Sequence, residues 1–394
     1  MRIDGVALAY ANPPPQALVR TAASLAQKVA FLRDSGSYPH AAGTIAAIET
    51  HMSWVFLAGD RAYKLKKPIR LPYLDFSTLE KREAACRAEF TLNRRLAPTL
   101  YLGIVPLCED KEGLNLSGKG LIADWLVVMR RIDESLMLEA AIARHTLALD
   151  RLRALERKLG QFYRRAQPVF TTPQKYLAEW RRQIRWNRDV LTDPRLSVPI
   201  APVLLIDYAQ VQFLTHCGQQ LVSRLQRQKI VDGHGDLRPE HIWLGEPLSI
   251  IDCLEFNPKF RAVDPFDELS YLAIECERLG APDVGSAVVR RMSRVLSDGV
   301  TPELLAFYRC FRATLRASLS IAHLLDPVPR TPAKWRPLAL RYLNIARREA
   351  INLNRLLSRR AGRPAAGPDE GAGSHPQRGR RRSAHRSSSE RALP

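Results

Sequence analysis

The chain has 394 residues and a formal net charge of +20, with 46% hydrophobic and 25% charged residues. This composition is ordinary for a soluble globular protein, and the length suggests about two to three domains. No run approaches the ~18 apolar residues that a transmembrane helix needs. The first residues include an acid, Asp4, and no long apolar region, so a secretory signal is not expected. We therefore expect a cytoplasmic protein with no membrane partner.

The cysteines and the net charge narrow the possible classes of protein further. Six scattered cysteines form no C-x-x-C pair, which predicts reduced thiols and argues against a zinc ribbon or a disulfide framework. A basic protein suits an anionic ligand such as a nucleotide, although on charge alone we favour a simple role in solubility. Part of the charge is local, because nine arginines and three acids lie from Arg359 onward.

The first third of the chain predicts a small β-rich unit. A helix over 15–34 belongs to an N-terminal extension, residues 1–45. Strands over 53–59 and 61–67 meet at Gly59-Asp60 as a hairpin. The spacing of Ser77 and Glu80 is that of a capping box, and the helix it predicts ends at Pro98. Two more strands follow, over 100–107 and 121–130.

From Glu134 the pattern becomes mainly helical, with amphipathic segments over 146–165, 174–191 and 208–228 and further helices from Pro265 to about Arg360. The remainder is rich in Gly, Pro, Ser and Arg and is expected to be disordered. The predicted fold class is α+β, with a small β-rich lobe (46–131), a larger mainly helical lobe (132–358) and a disordered basic tail (359–394).

One stretch, "VDGHGDLRPEHIWL" (231–244), concentrates titratable side chains at a single bend. A short hairpin after it pairs Trp243 with Ser249, and this pairing returns Asp252 to His241 and to the loop that carries Asp236. Converging carboxylates repel each other, and a divalent cation is a common remedy. Either acid alone is better explained as a helix or turn cap, but the three together predict a site.

These motifs resemble the aminoglycoside phosphotransferase family, small-molecule kinases with a two-lobed, protein-kinase-like fold. "HGDLRPEHI" resembles the catalytic loop, "IIDCLEF" the metal-binding aspartate at a strand end, and "DPFDELSYLAIECERLG" the helix that follows. "RAYKLKKP" and "CRAEFTLNRRLAP" resemble the strand and the helix that carry the phosphate-contacting lysine and its glutamate. "ETHMSWVFLAGDRAYKLKKP" and "DCLEFNPKFRAVDP" are closer still to a bacterial branch, some members of which are fused to a C-terminal P-loop ATPase domain. Five motifs in the same order, over about 45–350, are more specific than any one.

The resemblance implies the following roles. Asp236 is the catalytic base, and His234 shapes the catalytic loop. Asp252 binds Mg²⁺ across the β- and γ-phosphates, and His241 stands where the family has the second metal ligand, an asparagine. Lys64 contacts the α- and β-phosphates and is held by Glu89.

Several assignments stay open on the residues alone. Lys64 and Lys66 project from the same strand face, whereas Lys67 points the other way and is expected to be solvated. Glu83 and Glu89 flank the same helix face about equally. Further expected contacts to the nucleotide come from Ser53 and from the backbone near Met129, and Glu255 is a further candidate metal ligand.

Two departures from the family pattern weigh on activity. The turn "IETHMSW", which should cover the phosphates, has no glycine. His241 replaces an oxygen donor by an imidazole, which Mg²⁺ accepts less readily, so Mn²⁺ is an alternative ion. The stretch Gly113 to Gly120 nearly spells a Walker A loop, but it lacks the Ser/Thr and a following helix, so we expect a hairpin turn and no P-loop ATPase domain.

The leading functional hypothesis is an ATP-dependent phosphotransferase, using ATP or another nucleoside triphosphate, that acts on a hydroxyl of a small molecule. The alternative is a pseudokinase-type module that binds nucleotide without turnover. A zinc or manganese hydrolase would leave the lysine strand unexplained. Nucleic acid is expected only non-specifically, through the basic tail. The arginine-rich run "EWRRQIRWNRD" favours a neutral or anionic substrate over a cationic aminoglycoside.

Overall fold

A computed structural model describes residues 23–71, 73–326 and 329–361 of the chain. The basic tail beyond 361, with its proposed contacts to nucleic acid, lies outside the described residues, as does the first part of the helix expected over 15–34. The helix expected over 15–34 is wrong in its start: the helix spans Leu25–Arg33, because Ser24 is an extended N-cap whose side chain accepts from the Gln27 amide.

The N-terminal lobe is built on an antiparallel sheet. Within the described residues its six strands run in the order β1-β2-β3-β8-β6-β7. The hairpin at Gly59-Asp60 is confirmed, since β2 pairs with β3 on either side of it. The stretch from Gly113 to Gly120 connects β6 to β8 as expected, but its first three residues form a strand, β7, that pairs with the end of β6. The strands of this lobe are β1 Ala46–Glu49, β2 Ser53–Ala58, β3 Arg61–Lys66, β4 Arg70–Leu71, β5 Leu74–Asp75, β6 Tyr101–Asp110, β7 Gly113–Asn115 and β8 Leu121–Arg130.

Two helices of the described part of the chain belong to this lobe, α1 Leu25–Arg33 and α2 Leu79–Asn93. Helix α2 covers one face of the sheet. Asp124 of β8 ties both helices to the sheet, because its carboxylate accepts from Lys28 of α1 and Arg82 of α2, each at 2.8 Å. The inward face of α2 repeats at helical spacing and also carries a buried acid, Glu89.

The cap of α2 lies one residue later than the capping-box spacing predicted. Thr78 accepts from the Lys81 amide, whereas the Ser77 hydroxyl bonds Asp75. We expect Thr78→Ala to lower the free energy of unfolding by about 1 kcal/mol because an orphan helix amide loses its acceptor. Urea denaturation measures this, with Ser77→Ala as the matched control. An equal loss in the control would contradict the assignment.

The C-terminal lobe is larger and mainly helical. Its helices are α3 Leu138–Ala143, α4 Leu149–Arg165, α5 Pro173–Leu191, α6 Ile200–His216, α7 Gly218–Gln226, α8 Pro265–Arg278, α9 Pro282–Val295, α10 Pro302–Ala322 and α11 Pro332–Ala361. Four short strands complete it: β9 Val231–Asp232, β10 Ile242–Trp243, β11 Ser249–Ile250 and β12 Ala262–Val263. The helix expected over 208–228 is wrong in extent: the structure starts it at Ile200 and breaks it at Cys217.

An aromatic cluster forms the centre of the helical lobe. Phe213 of α6 stacks on Phe307 of α10 with ring centroids 4.2 Å apart, and Trp180 of α5 meets Phe311 edge-on at 4.7 Å. Rings in these arrangements add to the stability that burial of their area provides. The cluster fixes α5, α6 and α10 against one another.

The architecture confirms the expected α+β class with two lobes, a small β-rich one and a larger helical one. All six cysteines are free and buried. Among the described residues, no helix is both long enough and apolar enough to cross a membrane.

Candidate active site

Strand β3 carries two lysines, Lys64 and Lys66, whose ammonium groups pair with acidic side chains from both lobes. Lys64 Nζ donates to Glu89 Oε1 at 2.8 Å and to Asp252 Oδ1 at 2.9 Å. Lys66 Nζ donates to Glu89 Oε2 at 2.6 Å and to Glu255. The buried acid of α2 therefore holds both lysines, and each lysine reaches a different acid of the segment that follows β11.

The two lysines differ in their access to solvent. The Lys64 side chain is 15% exposed and that of Lys66 only 1%. Burial alone would lower the pKa of Lys64, but the Asp252 and Glu89 carboxylates raise it well above its usual value. Burial also works against ionised Glu89, yet Lys64 and Lys66 keep its pKa below the usual range. Both lysines are thus charged, and Lys64 is the one that faces the cleft.

The structure also separates the competing glutamates and the third lysine. Glu83 pairs with Arg87 one turn along α2 at the surface and does not reach β3. The expectation that Lys67 is solvated is wrong: its side chain is buried, and its Nζ donates to Glu49 and to the carbonyl of Thr50. Lys67 points away from Lys64 as expected, but it finds polar partners in the turn between β1 and β2.

The loop of the "HGD" motif is fixed by a buried acid of α8. The backbone amides of His234 and Gly235 both donate to Glu268, and Tyr163 of α4 donates to its other oxygen at 2.8 Å. Gly235 has φ of +87°, a left-handed conformation that L side chains rarely adopt. Three donors on one carboxylate give this loop a fixed shape before any ligand arrives.

Replacing Glu268 with glutamine tests that arrangement. The amide nitrogen of glutamine cannot accept from a donor, so at least one of the three donors loses its partner. We expect the free energy of unfolding to fall by about 1.5–3 kcal/mol, the range for hydrogen bonds to a charged group. Urea denaturation measures the loss, with the exposed Glu112→Gln as control. A stability equal to that of the wild type would show that the carboxylate does not organise the loop.

The imidazole of His234 shapes the loop and does not face the cleft. Its Nε2 lies 2.8 Å from the carbonyl of Ile251, and its Nδ1 lies 3.2 Å from the amide of Asp236. A carbonyl only accepts and an amide N–H only donates, so Nε2 carries the proton. The ring is 1% exposed, and burial lowers its pKa. These contacts give His234 a positioning role.

Asp236 lies at the end of that loop with both oxygens engaged. Oδ1 accepts from the Tyr271 hydroxyl at 2.9 Å, and Oδ2 accepts from Arg238 at 2.8 Å. Burial would raise the pKa of Asp236, but Arg238 and His241 bring it well below its usual range. The carboxylate is therefore ionised at neutral pH, and each oxygen keeps a further lone pair for an incoming hydroxyl.

His241 lies between the two aspartates. Its Nδ1 is 2.8 Å from the carbonyl of Asp236, which assigns the proton to Nδ1. The Nε2 lone pair then faces Arg238 at 3.2 Å and Asp252 Oδ2 at 3.6 Å. The hairpin that brings these groups together has the expected register, since Trp243 pairs with Ser249 and the Ile251 amide donates to the His241 carbonyl.

Asp252 adopts a left-handed conformation with φ of +62°, unusual for a residue other than glycine. Its amide donates to the Tyr101 hydroxyl at 3.4 Å, and Lys64 is the main cause that lowers the pKa of its carboxyl. The side chain is 48% exposed. Backbone conformations of this kind cluster at functional sites, where the surrounding structure holds them.

The atoms of Asp252 and His241 fit a shared divalent cation. Asp252 offers a half-exposed carboxylate oxygen, and His241 offers the Nε2 lone pair beside it. Asp236 meets the other nitrogen of the ring, with Oδ2 3.7 Å from Nδ1, so the three side chains do not converge on a single point. Glu255 contributes no ligand atom beside Asp252 and His241, because its carboxylate is paired with Lys66.

The two remaining expected nucleotide contacts lie along the sheet. Ser53 pairs with Lys66 and shares its strand face, but Ser53 is buried and its amide and carbonyl close the turn with Thr50. Met129 is half-buried on β8, opposite Ala62. The two backbone amides after Met129 already have hydrogen-bond acceptors. The N–H of residue 130 donates to the carbonyl of residue 100, and the N–H of residue 131 donates to the carbonyl of residue 60.

Sequence reasoning missed two residues that contact Asp236. Arg238 follows it by two positions inside the motif, and an arginine so close to an acid in one loop was a usable signal. Tyr271 arrives from α8, and no local pattern marks a tyrosine that reaches across 35 residues. Both donate to the same carboxylate, so together they set its orientation.

Comparison with known proteins gives relatives without an assigned activity. No family model matches the chain. An uncharacterized protein of Mycobacterium tuberculosis and one of Mycobacterium bovis are each 32% identical over 328 residues, which cover 81% of this chain and 62% of theirs. The chain thus spans less than two thirds of the length of these relatives.

Solved structures similar to this chain are small-molecule kinases. A choline/ethanolamine kinase family protein from Mesorhizobium loti aligns with a TM-score of 0.48 and 16% identity, covering 84% of this chain and 97% of its own. A thermostable mutant of aminoglycoside phosphotransferase APH(4)-Ia aligns with a TM-score of 0.45 and 11% identity, covering 82% and 96%. At these TM-scores the fold description rests on the strand order and the two lobes given above.

Proposed function

We propose that this protein transfers the γ-phosphoryl group of ATP, or of another nucleoside triphosphate, to a hydroxyl of a small molecule. The observation that carries the proposal is the position of Lys64 Nζ, which bridges Glu89 of α2 and Asp252 of the segment after β11. A charged lysine held between an acid of one lobe and an acid of the other suits a polyphosphate that lies in the cleft. Phosphoryl transfer depends mainly on positioning and on charge stabilisation, which such a set of groups provides.

Each residue has a defined task in this proposal. Lys64 is redirected from Asp252 to the α- and β-phosphates, while Glu89 keeps it in place. Asp236 orients the acceptor hydroxyl and takes its proton as the phosphoryl group is transferred. Glu268 and His234 hold the loop that aims Asp236.

The metal site consists of Asp252 and His241. A divalent cation held there, Mg²⁺ or Mn²⁺, supplies positive charge that offsets the developing charge on the β- and γ-phosphates. Glu255 remains a further predicted ligand, and it would have to leave Lys66 to serve.

The substrate class follows from the charges near Asp236. The guanidinium groups of Arg238 and Arg316 both act on that carboxylate. A cationic acceptor would meet their repulsion, whereas a neutral or anionic hydroxyl compound would not. We therefore propose a neutral or anionic substrate.

A nucleotide-binding module without turnover is the second candidate, and two observations favour it. His241 replaces the oxygen donor that Mg²⁺ prefers. The backbone amides that follow Met129 are already bonded within the N-terminal lobe, so a nucleotide base would have to compete for them.

Two measurements on the same protein separate the candidates. Isothermal titration with ATP and ADP, each with Mg²⁺ or Mn²⁺, reports nucleotide binding. Incubation with ATP and a panel of neutral and anionic hydroxyl compounds, followed by mass spectrometry, reports a phosphorylated product. Binding with a product supports the phosphotransferase, and binding without any product supports the module. If no nucleotide binds with either ion, both candidates fail.

A further inference from the structure

A segment of the helical lobe reaches over to the turn between β1 and β2. We call residues 323–326 and 329–335 the strap; they run from the 3₁₀ turn after α10 into the first turn of α11. Arg330 of the strap bonds the carboxylate of Glu49 and lies 3.5 Å from the carbonyl of Thr50. The strap therefore holds the turn that leads into β2, the neighbour of the strand that carries Lys64.

Three side chains with metal-ligating atoms meet where the strap crosses this turn. His51 comes from the turn, and His323 and Asp326 come from the strap. One ligand atom from each lies within 4.8 Å of the other two. The rings of His51 and His323 are 5.6 Å apart and nearly perpendicular, an edge-to-face contact that holds the two imidazoles close to each other.

The spacing suits a tetrahedral ion. Two ligands on a tetrahedral Zn²⁺ with bonds of ~2.0–2.1 Å lie roughly 3.4 Å apart. His323 Nδ1 and Asp326 Oδ2 are 3.5 Å apart. His51 is exposed, so its side chain can close the remaining distance by rotation without disturbing a packed core.

The position of the His323 ring is set by its neighbours. Trp335 stacks on it with ring centroids 4.0 Å apart, and the Trp335 indole donates to the Arg330 carbonyl at 2.6 Å. A fixed ring loses little freedom on binding an ion, which favours affinity. Two imidazoles and one carboxylate with a fourth position open to water are a ligand set that Zn²⁺ accepts, whereas Mg²⁺ and Ca²⁺ prefer oxygen alone.

We propose that His51, His323 and Asp326 bind a divalent transition-metal ion of the Zn²⁺ class and that the ion fastens the β1–β2 turn to the helical lobe. This site is separate from Asp252 and His241. It lies beside the contact of Arg330 with Glu49 and joins the two lobes there, so the ion restricts their relative movement. The proposal stands on its own geometry and does not depend on phosphoryl transfer.

Zn²⁺ titration against a chromophoric chelator tests the site in the full chain, free of any histidine tag. We expect His51→Gln and Asp326→Asn to weaken one bound equivalent at least about tenfold, since even partners of metal ligands matter by 10–100-fold. His51→Cys is expected to retain binding because a thiolate is a good Zn²⁺ ligand. His216→Gln, an exposed histidine at the end of α6, is the matched control and should bind as the wild type does.

The Asp252→Asn variant separates this site from the candidate active site. If His51→Gln and Asp326→Asn bind Zn²⁺ as tightly as the wild type, or if the bound equivalent is lost only in Asp252→Asn, the proposal is overturned. Thermal unfolding with and without Zn²⁺ gives a second readout. The ion should raise the midpoint in the wild type and in His51→Cys, but not in His51→Gln.

Discussion

Asp236→Asn is expected to lower kcat for phosphoryl transfer by about 10²–10⁴-fold, the range for a lost general base. The carboxylate accepts from Tyr271 and Arg238 and still has lone pairs for a substrate hydroxyl. Asparagine keeps one acceptor oxygen but cannot take up a proton. Because the proposed function assigns the nucleotide contacts to Lys64 and Asp252, nucleotide affinity should stay at the wild-type value. Steady-state kinetics on the acceptor found in the panel, with titration of ADP, measures both quantities.

Two further variants define what that loss means. Tyr271→Phe removes one hydrogen bond and leaves the charge of Asp236, so we expect a smaller loss of kcat than in Asp236→Asn. Asp150→Asn changes an exposed acid at the start of α4 and should leave kcat unchanged. A kcat within error of the wild type in Asp236→Asn would remove Asp236 from the role of base. An equal loss in Asp150→Asn would point to a general effect on folding.

Much of the candidate site could be predicted from local sequence. A hairpin of a few residues brings Asp236 and Asp252 to different nitrogens of the His241 ring. A register counted from its turn placed Trp243 opposite Ser249, as the structure does. Strands β2, β3 and β8 were also readable, because alternation and turn residues act over short distances.

Contacts between distant segments could not be predicted in the same way. The two candidate lysines on β3 both proved to bind Glu89, and the choice between them depended on acids about 190 residues away in sequence. Lys67 was expected in solvent because it points away from Lys64 and Lys66, yet its side chain is buried and donates to Glu49. The start of α6 at Ile200 was missed because Pro199 and Pro202 resemble a loop, whereas proline is tolerated in the first turn of a helix.

The second large effect separates the two lysines. Lys64→Met should lower kcat/KM by about 10²–10³-fold, the usual effect of removing one preorganised electrostatic donor. Its fold should persist because Lys66 still neutralises Glu89. Lys66→Met should instead cost about 3–5 kcal/mol of unfolding free energy, the range for breaking a buried ion pair, since it leaves Glu255 without its partner. Kinetics and urea denaturation on both variants, with the exposed Lys111→Met as control, measure the split.

The pH dependence of Lys66→Met shows whether Glu255 is the cause. Burial already raises the pKa of Glu255 in the wild type, and removal of Lys66 raises it further. An acid whose pKa is higher in the folded than in the unfolded chain contributes stability that is lost as the pH rises through the folded value. The deficit of Lys66→Met should therefore shrink on acidification below neutral pH, and a second change, Glu255→Gln, should recover part of it at neutral pH. A loss of stability that is independent of pH and unchanged by Glu255→Gln would mean that Lys66 stabilises the lobe by packing. The ion pair between Lys66 and Glu255 would then contribute little, and Lys64 would be the lysine whose charge links Glu89 to the segment after β11.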